Sequence, residues 1–322
     1  MRIRFRSLSE FLLVLISLLF VPSLFAQIDG ADCRSILVNR TFAGNFAGYL
    51  NLPVYSGEAD NGSIGVVPNA GAGWISFLPG GRVINTETIL VGLLGLNRDR
   101  QITGNYSLVW DAKRNPAVCV GAIHASDGST SYDFQLIVAS DGDRIEMIHT
   151  NTGLIVGTSM FPMHEGNCRN STVKGTYTYN SSGWALAYPP APADQMLSNY
   201  VPGAMSGAMR FYPNTAPDAA FPDAAIGAGS VAAWDTLSAN GAVLPSLRTM
   251  TGWYKVNRSC MLSLTLVDGL GNPPFQIEGF VGQRGQIVYA VNTNTLEPED
   301  NGPPIFLMPI TLTRVEAPNE QP

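Results

Sequence analysis

The chain has 322 residues, of which only 14% are charged, with 19 Lys and Arg against 25 Asp and Glu and a net charge of -6 at neutral pH. No basic block accompanies the aromatic residues, so there is no electrostatic footprint for a phosphate backbone, and nucleic acid is excluded as a partner. With 33 Gly and 22 Pro, the composition suits short strands joined by many turns.

In chain order, Arg2, Arg4 and Arg6 come first, followed by an apolar run from Phe11 to Phe25 and then Ala26 before Gln27. This is the layout of a secretory signal peptide over residues 1–26. The apolar run, about 15 residues, is short of the roughly 20 that span a bilayer, and Pro22 would break its last turn. Leu24 stands where a small residue is usual before such a cut, so a retained N-terminal anchor is the alternative. The expectation is export, to the periplasm or outside the cell, with no stable transmembrane span after cleavage.

The remainder is a repeat. Cys33, Arg34, Val38, Thr41 and Phe42 recur at the same spacing as Cys168, Arg169, Val173, Thr176 and Tyr177. Further anchors keep the order: Gly73 to Pro79 with Gly207 to Pro213, Gly81 to Thr88 with Gly229 to Thr236, and Thr103-Gly104-x-Tyr106 with Thr251-Gly252-x-Tyr254. Cys119 then answers Cys260, and Gly142 to Thr152 answers Gly285 to Thr295. Two units follow, residues 27–163 and 164–322, each long enough to form its own core and expected to fold separately. Their differences, in Pro-rich insertions after Tyr188 and after Pro213 and in extra residues before Cys119, fall where surface loops are tolerated.

Each unit contains about eight short runs of β-branched and aromatic residues separated by turn formers. In the first they lie near 41–50, 73–78, 82–91, 102–110, 117–124, 132–139, 143–149 and 153–160. In the second they lie near 174–186, 205–212, 229–236, 250–257, 260–267, 274–281, 286–292 and 305–315. Asp141-Gly142, Asn240-Gly241 and Asp268-Gly269 tolerate the positive φ of tight hairpins. Helical periodicity is absent after the signal. Eight sequential antiparallel strands must satisfy their edges, and short hairpin connections favour an up-and-down barrel. The predicted fold is all-β, two tandem antiparallel up-and-down β-barrels of about eight strands each, with an immunoglobulin-like sandwich as runner-up. Pro-bearing inserts and disulfides argue against a membrane-spanning barrel.

Four cysteines permit three pairings. Repeat equivalence favours Cys33 with Cys119 and Cys168 with Cys260. Each bridge would close a loop of about 90 residues, worth about 4 to 5 kcal/mol in the chain-entropy model. A Cys, then Gly-Thr-Tyr, then Thr-Gly-x-Tyr before a second Cys, then a Gly-led hairpin ending in Thr-Asn-Thr, resembles exported bacterial tandem β-barrel repeat proteins. These are similar to the calycin-like barrels of the allene oxide cyclase and dirigent type. The resemblance implies a fold and carries over no catalytic residue.

Glu87 and Asp235 are acidic positions that recur within a predicted strand. Val83, Asn85, Glu87 and Ile89 share one face by alternation, so an inward-turned Glu87 would enter an apolar interior, costly unless paired, hydrogen-bonded or hydrated. These carboxylates, with His149 at a strand end where the second unit has Asn292, are the candidate ligand-binding residues, at a barrel mouth. The alternative for each is a solvated outward position, as for His124. Met160, Met163 and His164 offer soft ligands, but a linker packed by two Met accounts for them equally. Nucleophile-elbow, HExxH and Walker A motifs are missing, so no catalytic residue, metal or cofactor is assigned.

The function expected is non-enzymatic, binding a small molecule or serving as an envelope or extracellular interaction module. An isomerase or cyclase of the allene oxide cyclase type is the alternative. A deep pocket lined by a carboxylate with Tyr or Asn would favour the enzyme, whereas solidly packed interiors with exposed aromatic patches would favour the interaction module.

Overall fold

The computed structural model describes residues 33–53, 64–92, 95–111, 113, 118–139, 142–151, 154–163, 166–186, 200–215, 227–239, 242–243, 247–295 and 305–315. The expected signal segment, most of the two insertions of the second unit, the Asn240-Gly241 turn and His164 lie outside the described residues.

One turn of helix, α1 (Cys33–Leu37), leads into β1 (Thr41–Pro53), β2 (Ile64–Leu78), β3 (Arg82–Val91), β4 (Gly95–Asp111), β5 (Val118–Ser126), β6 (Ser131–Val138), β7 (Ile145–His149) and β8 (Leu154–Pro162). Each strand pairs antiparallel with the one before it, and β8 returns to β1, which closes barrel one. The second unit runs through β9 (Gly175–Leu186), β10 (Tyr200–Tyr212), β11 (Gly229–Ala239), the two-residue β12 (Ala242–Val243), β13 (Arg248–Val256), β14 (Met261–Val267), β15 (Phe275–Gly282), β16 (Ile287–Asn292), the two-residue β17 (Phe306–Leu307) and β18 (Pro309–Val315). β9 pairs with both β18 and β10, so eight of these strands close barrel two. Closure leaves no unpaired edge, which answers the demand that eight consecutive short strands impose.

The repeat anchors are the stopper at one end of each barrel. Phe42 and Phe77 meet edge to face at 5.9 Å, and Phe77 meets Tyr106 at 5.0 Å. In barrel two Tyr177, Phe211 and Tyr254 repeat the arrangement at 5.3 and 4.9 Å. Cys33 bonds Cys119 and Cys168 bonds Cys260 beside these clusters, and no cysteine is free. Helix α1 is too short to show in sequence periodicity; Leu37, wholly buried, is its contribution to the stopper.

Three strands extend well beyond their predicted starts, among them β10, which begins at Tyr200 rather than near 205. β2 begins at Ile64 and β4 at Gly95, the first through a stretch broken by Gly65, Pro68 and Gly71 and the second through a charged one, neither of which reads as a regular strand. Tertiary contacts explain β2 and β4. Ala70 and Ala72 face outward from barrel one onto barrel two, in a buried cluster with Leu90, Phe280, Tyr289 and Val291. On β4, Arg98 reaches Glu278 of barrel two at 2.7 Å, while Arg100 turns inward. Asn45 adds a bond from Nδ2 to the Ile310 carbonyl at 2.8 Å, and Phe161 stacks on Tyr289 at 5.8 Å. The barrels therefore share a side wall.

Candidate functional site: the cavity of barrel one

The two interiors differ at positions that the repeat makes equivalent. Gly44 in barrel one answers Tyr179, and the registers agree, since Gly44 pairs with Gly73 and Tyr179 with Gly207. Likewise Asn69 answers Gly203, Val156 answers Met308, and Thr158 answers Ile310. At three of these four positions barrel two carries the larger side chain, and its interior is a continuous apolar core. Met308, for example, occupies the place a side chain at Gly203 would take. Barrel one lacks that filling and holds a cavity of about 520 Å³, within the range of small-molecule sites. Gly44, Ile75, Ile102 and Met160 lie on the stopper side, and Leu50, Asn97, Thr130 and Leu154 on the opposite side, where Asn97 and Thr130 are exposed.

Glu87 lines this cavity and is 7% exposed. Its Oε1 accepts a bond from Arg100 Nε at 2.9 Å and another from Arg100 Nη2, and its Oε2 accepts one from Asn85 Nδ2 at 3.1 Å. Glu87 and Arg100 are opposite one another across β3 and β4, immediately before the ladder shifts register, with Asp99 at φ 52°. A bulge there aims Arg100 inward and Arg98 outward. Arg100 Nη1 also donates to Tyr132 Oη at 2.9 Å and lies 3.7 Å from Asp127 Oδ2, to which Tyr132 donates at 2.9 Å.

Two carboxylates, Glu87 and Asp127, face the single Arg100 guanidinium. Burial works against a charged Arg100, but Glu87, through its charge and its hydrogen bond, raises the guanidinium pKa above its ordinary value. Burial likewise pushes Asp127 up, yet the amides of Ser129 and Thr130, the Ser129 hydroxyl and the Tyr132 hydroxyl hold it well below the usual carboxylate range. Burial raises the Tyr132 phenol, which stays neutral. His149 lines the same cavity, its ring 3.9 Å from that of Phe134 and 5.8 Å from that of Tyr132. Burial lowers its pKa, so the imidazole is uncharged at neutral pH. Its Nδ1 lies 3.4 Å from Asn151 Oδ1, an oxygen that also accepts the Asp133 amide. That contact selects the Nδ1–H tautomer and leaves Nε2 as an acceptor.

Asp235 is buried elsewhere. It is fully enclosed in barrel two, where Arg248 Nε and Nη2 donate to its two oxygens at 2.8 and 2.7 Å and Tyr179 donates to Oδ2 at 2.6 Å. Burial, then the adjacent Asp235 charge, pushes the Tyr179 phenol far up. The structure thus brings Glu87 and His149 together and leaves Asp235 in a packed interior. His124 is exposed and paired with Asp133 at 2.5 Å. Met160 faces the cavity, whereas Met163 bridges to Gly282 of barrel two. Among the described residues no group of three potential metal ligands converges.

Arg100, Tyr132 and Asn69 escaped sequence reasoning. Arg100 and Arg248 each stand three residues before a Thr-Gly anchor, so extending the repeat backward would have exposed both ion pairs. Asn69 carried only the signal that it faces a Gly in the other unit.

The fold defines a tandem of closed antiparallel eight-stranded barrels, hollow in the first and filled in the second. No family model, no curated protein and no solved structure matches the chain. Among the described residues no helix is long and apolar enough to cross a membrane.

Proposed function

We propose that this is an exported, non-enzymatic protein that holds one small, mainly apolar molecule inside barrel one, with barrel two as its packed support. Two disulfides and the N-terminal segment support export. The observation that carries the binding function is the contrast between interiors, in which equivalent positions are filled in one barrel and emptied in the other. A solid barrel would have been enough for a scaffold. At about 30 Å³ per non-hydrogen atom, the cavity suits a molecule of on the order of 15 to 20 such atoms.

The neutral fluorophore phenylnaphthylamine is of that size and brightens in apolar surroundings. It is expected to bind at one site per chain, and Leu154→Trp, at the cavity's open side, is expected to abolish the signal. Binding that persists unchanged in that variant, or no binding at all, would remove the function assigned to barrel one.

An isomerase of the allene oxide cyclase type is the second reading, favoured by the carboxylate, Tyr and Asn gathered in one deep pocket. Against it, Glu87 already accepts three hydrogen bonds and is poorly placed to accept a substrate proton. Mass and chiral analysis of ligands recovered after incubation separates the two, since a carrier returns them unchanged and an isomerase does not.

A further inference from the structure

Asn69 lies on β2, in register with Gly48 of β1 and Val91 of β3, on the inward face shared with Gly71 and Gly73. It lines the cavity and is wholly buried, and neither its Nδ2 nor its Oδ1 has a hydrogen-bond partner among the described residues. A buried amide left unpaired is costly, so such groups in native proteins ordinarily have partners. Because both amide atoms are unpartnered, the point holds whichever way the group is turned. The charged groups in and beside the cavity are in the opposite condition. Glu87 is engaged by Arg100 and Asn85, Asp127 by Ser129, Thr130 and Tyr132, and Arg100 by Glu87 and Tyr132.

Resting on the reading of barrel one as a binding site, we infer that its ligand is uncharged and carries a carboxamide-like group, a donor beside an acceptor, that pairs with Asn69. Only such a group meets Nδ2 and Oδ1 together, as one amide meets another. An anion would have to compete with Glu87 for Arg100, and burying it unpaired would be expensive. A cation finds no carboxylate that is not already engaged. The cavity is otherwise walled by apolar groups, among them Phe46, Ile89, Phe134 and Val156, so the rest of the ligand is hydrocarbon. Barrel two has Gly203 in place of Asn69, with Met308 filling the space, so the amide belongs to the hollow barrel alone.

The test is displacement of phenylnaphthylamine from the full-length protein by compounds of one chain length: dodecanamide, methyl dodecanoate, dodecanoate and dodecylammonium. Dodecanamide is expected to displace the probe at concentrations roughly tenfold or more below the ester and both ions, the scale set by leaving a buried polar group unpaired. In Asn69→Leu, which is close in volume, the amide should lose that advantage over the ester, each concentration being read relative to the probe's own affinity for the variant. Equal displacement by amide and ester, or an amide advantage that survives Asn69→Leu, overturns the inference and leaves the binding site standing. Failure of the probe itself to bind removes both.

Discussion

His149 shows how one side chain can make a binding cavity sensitive to pH. Its imidazole is half-buried against Phe134 and Tyr132, and burial lowers its pKa below the ordinary value of 6.5. Between the folded value and 6.5 the unfolded chain therefore binds more protons than the folded one. Stability rises with pH through that window and is lost as the pH falls through it. Protonation would also add a second cation to a cavity that already holds the Arg100 guanidinium. An NMR titration is expected to put the His149 midpoint below the ordinary histidine value of 6.5. His149→Asn, the residue found at the equivalent position of barrel two, should flatten the pH dependence of both stability and probe affinity just below pH 6.5. A midpoint at or above the ordinary histidine value would show that the ring is solvated.

Strand pairs β3–β4 and β11–β13 carry the same ion pair in two environments, which allows the effect of a cavity to be measured. Asp235 is fully buried and Arg248 is 18% exposed, with Tyr179 closing the third side. Removing one partner of such a pair leaves an uncompensated charge, and Asp235→Asn is expected to cost about 3 to 5 kcal/mol. Glu87→Gln beside the hollow interior is expected to cost less, about 1 to 3 kcal/mol, because Gln can keep a hydrogen bond and water can reach Arg100. Urea unfolding of the two variants gives the comparison, and equal losses would mean that the cavity does not relieve the Arg100 charge. These strands also mark the limit of what sequence made legible. β6 was plain because Tyr132, Phe134 and Leu136 alternate with Asp133 and Gln135, and on β3 the same alternation put Glu87 on one face with Val83, Asn85 and Ile89 without saying which way that face turned. The start of β2 was hidden because its small outward residues, Ala70 and Ala72, fit the second barrel, whose position sequence does not encode locally. The start of β4 was hidden because its Arg residues are satisfied by Glu278 and Glu87, partners distant in sequence. The site was half visible for the same reason: Glu87 and His149 lie on regular faces, whereas the hollow itself depends on Gly44, Asn69 and Val156 being smaller or more polar than their counterparts.

At the scale of the molecule, each barrel has its own apolar core, its own aromatic stopper and its own disulfide, closing loops with sequence separations of 86 and 92 residues. Those are the requirements for independent folding. Yet the side wall is shared. Ala43, Ala72 and Leu90 of barrel one are buried against Phe280, Tyr289 and Val291 of barrel two, and the Arg98–Glu278 pair and the Asn45 bond cross the same seam. Separation would expose this apolar strip to water, at about 25 cal/mol per Å² of apolar surface, without opening either core. Residues 27–163 and 164–322, expressed separately under oxidising conditions, are therefore each expected to unfold in a single cooperative transition at a lower midpoint than in the full chain. The first should still bind phenylnaphthylamine at one site, since every residue lining the cavity comes from β1 to β8 or the turn at Thr130. Cooperative unfolding with loss of probe binding would mean that barrel two holds the cavity open through β1 and β2. Absence of a cooperative transition in both halves would make the shared wall, rather than the individual barrel, the unit of folding.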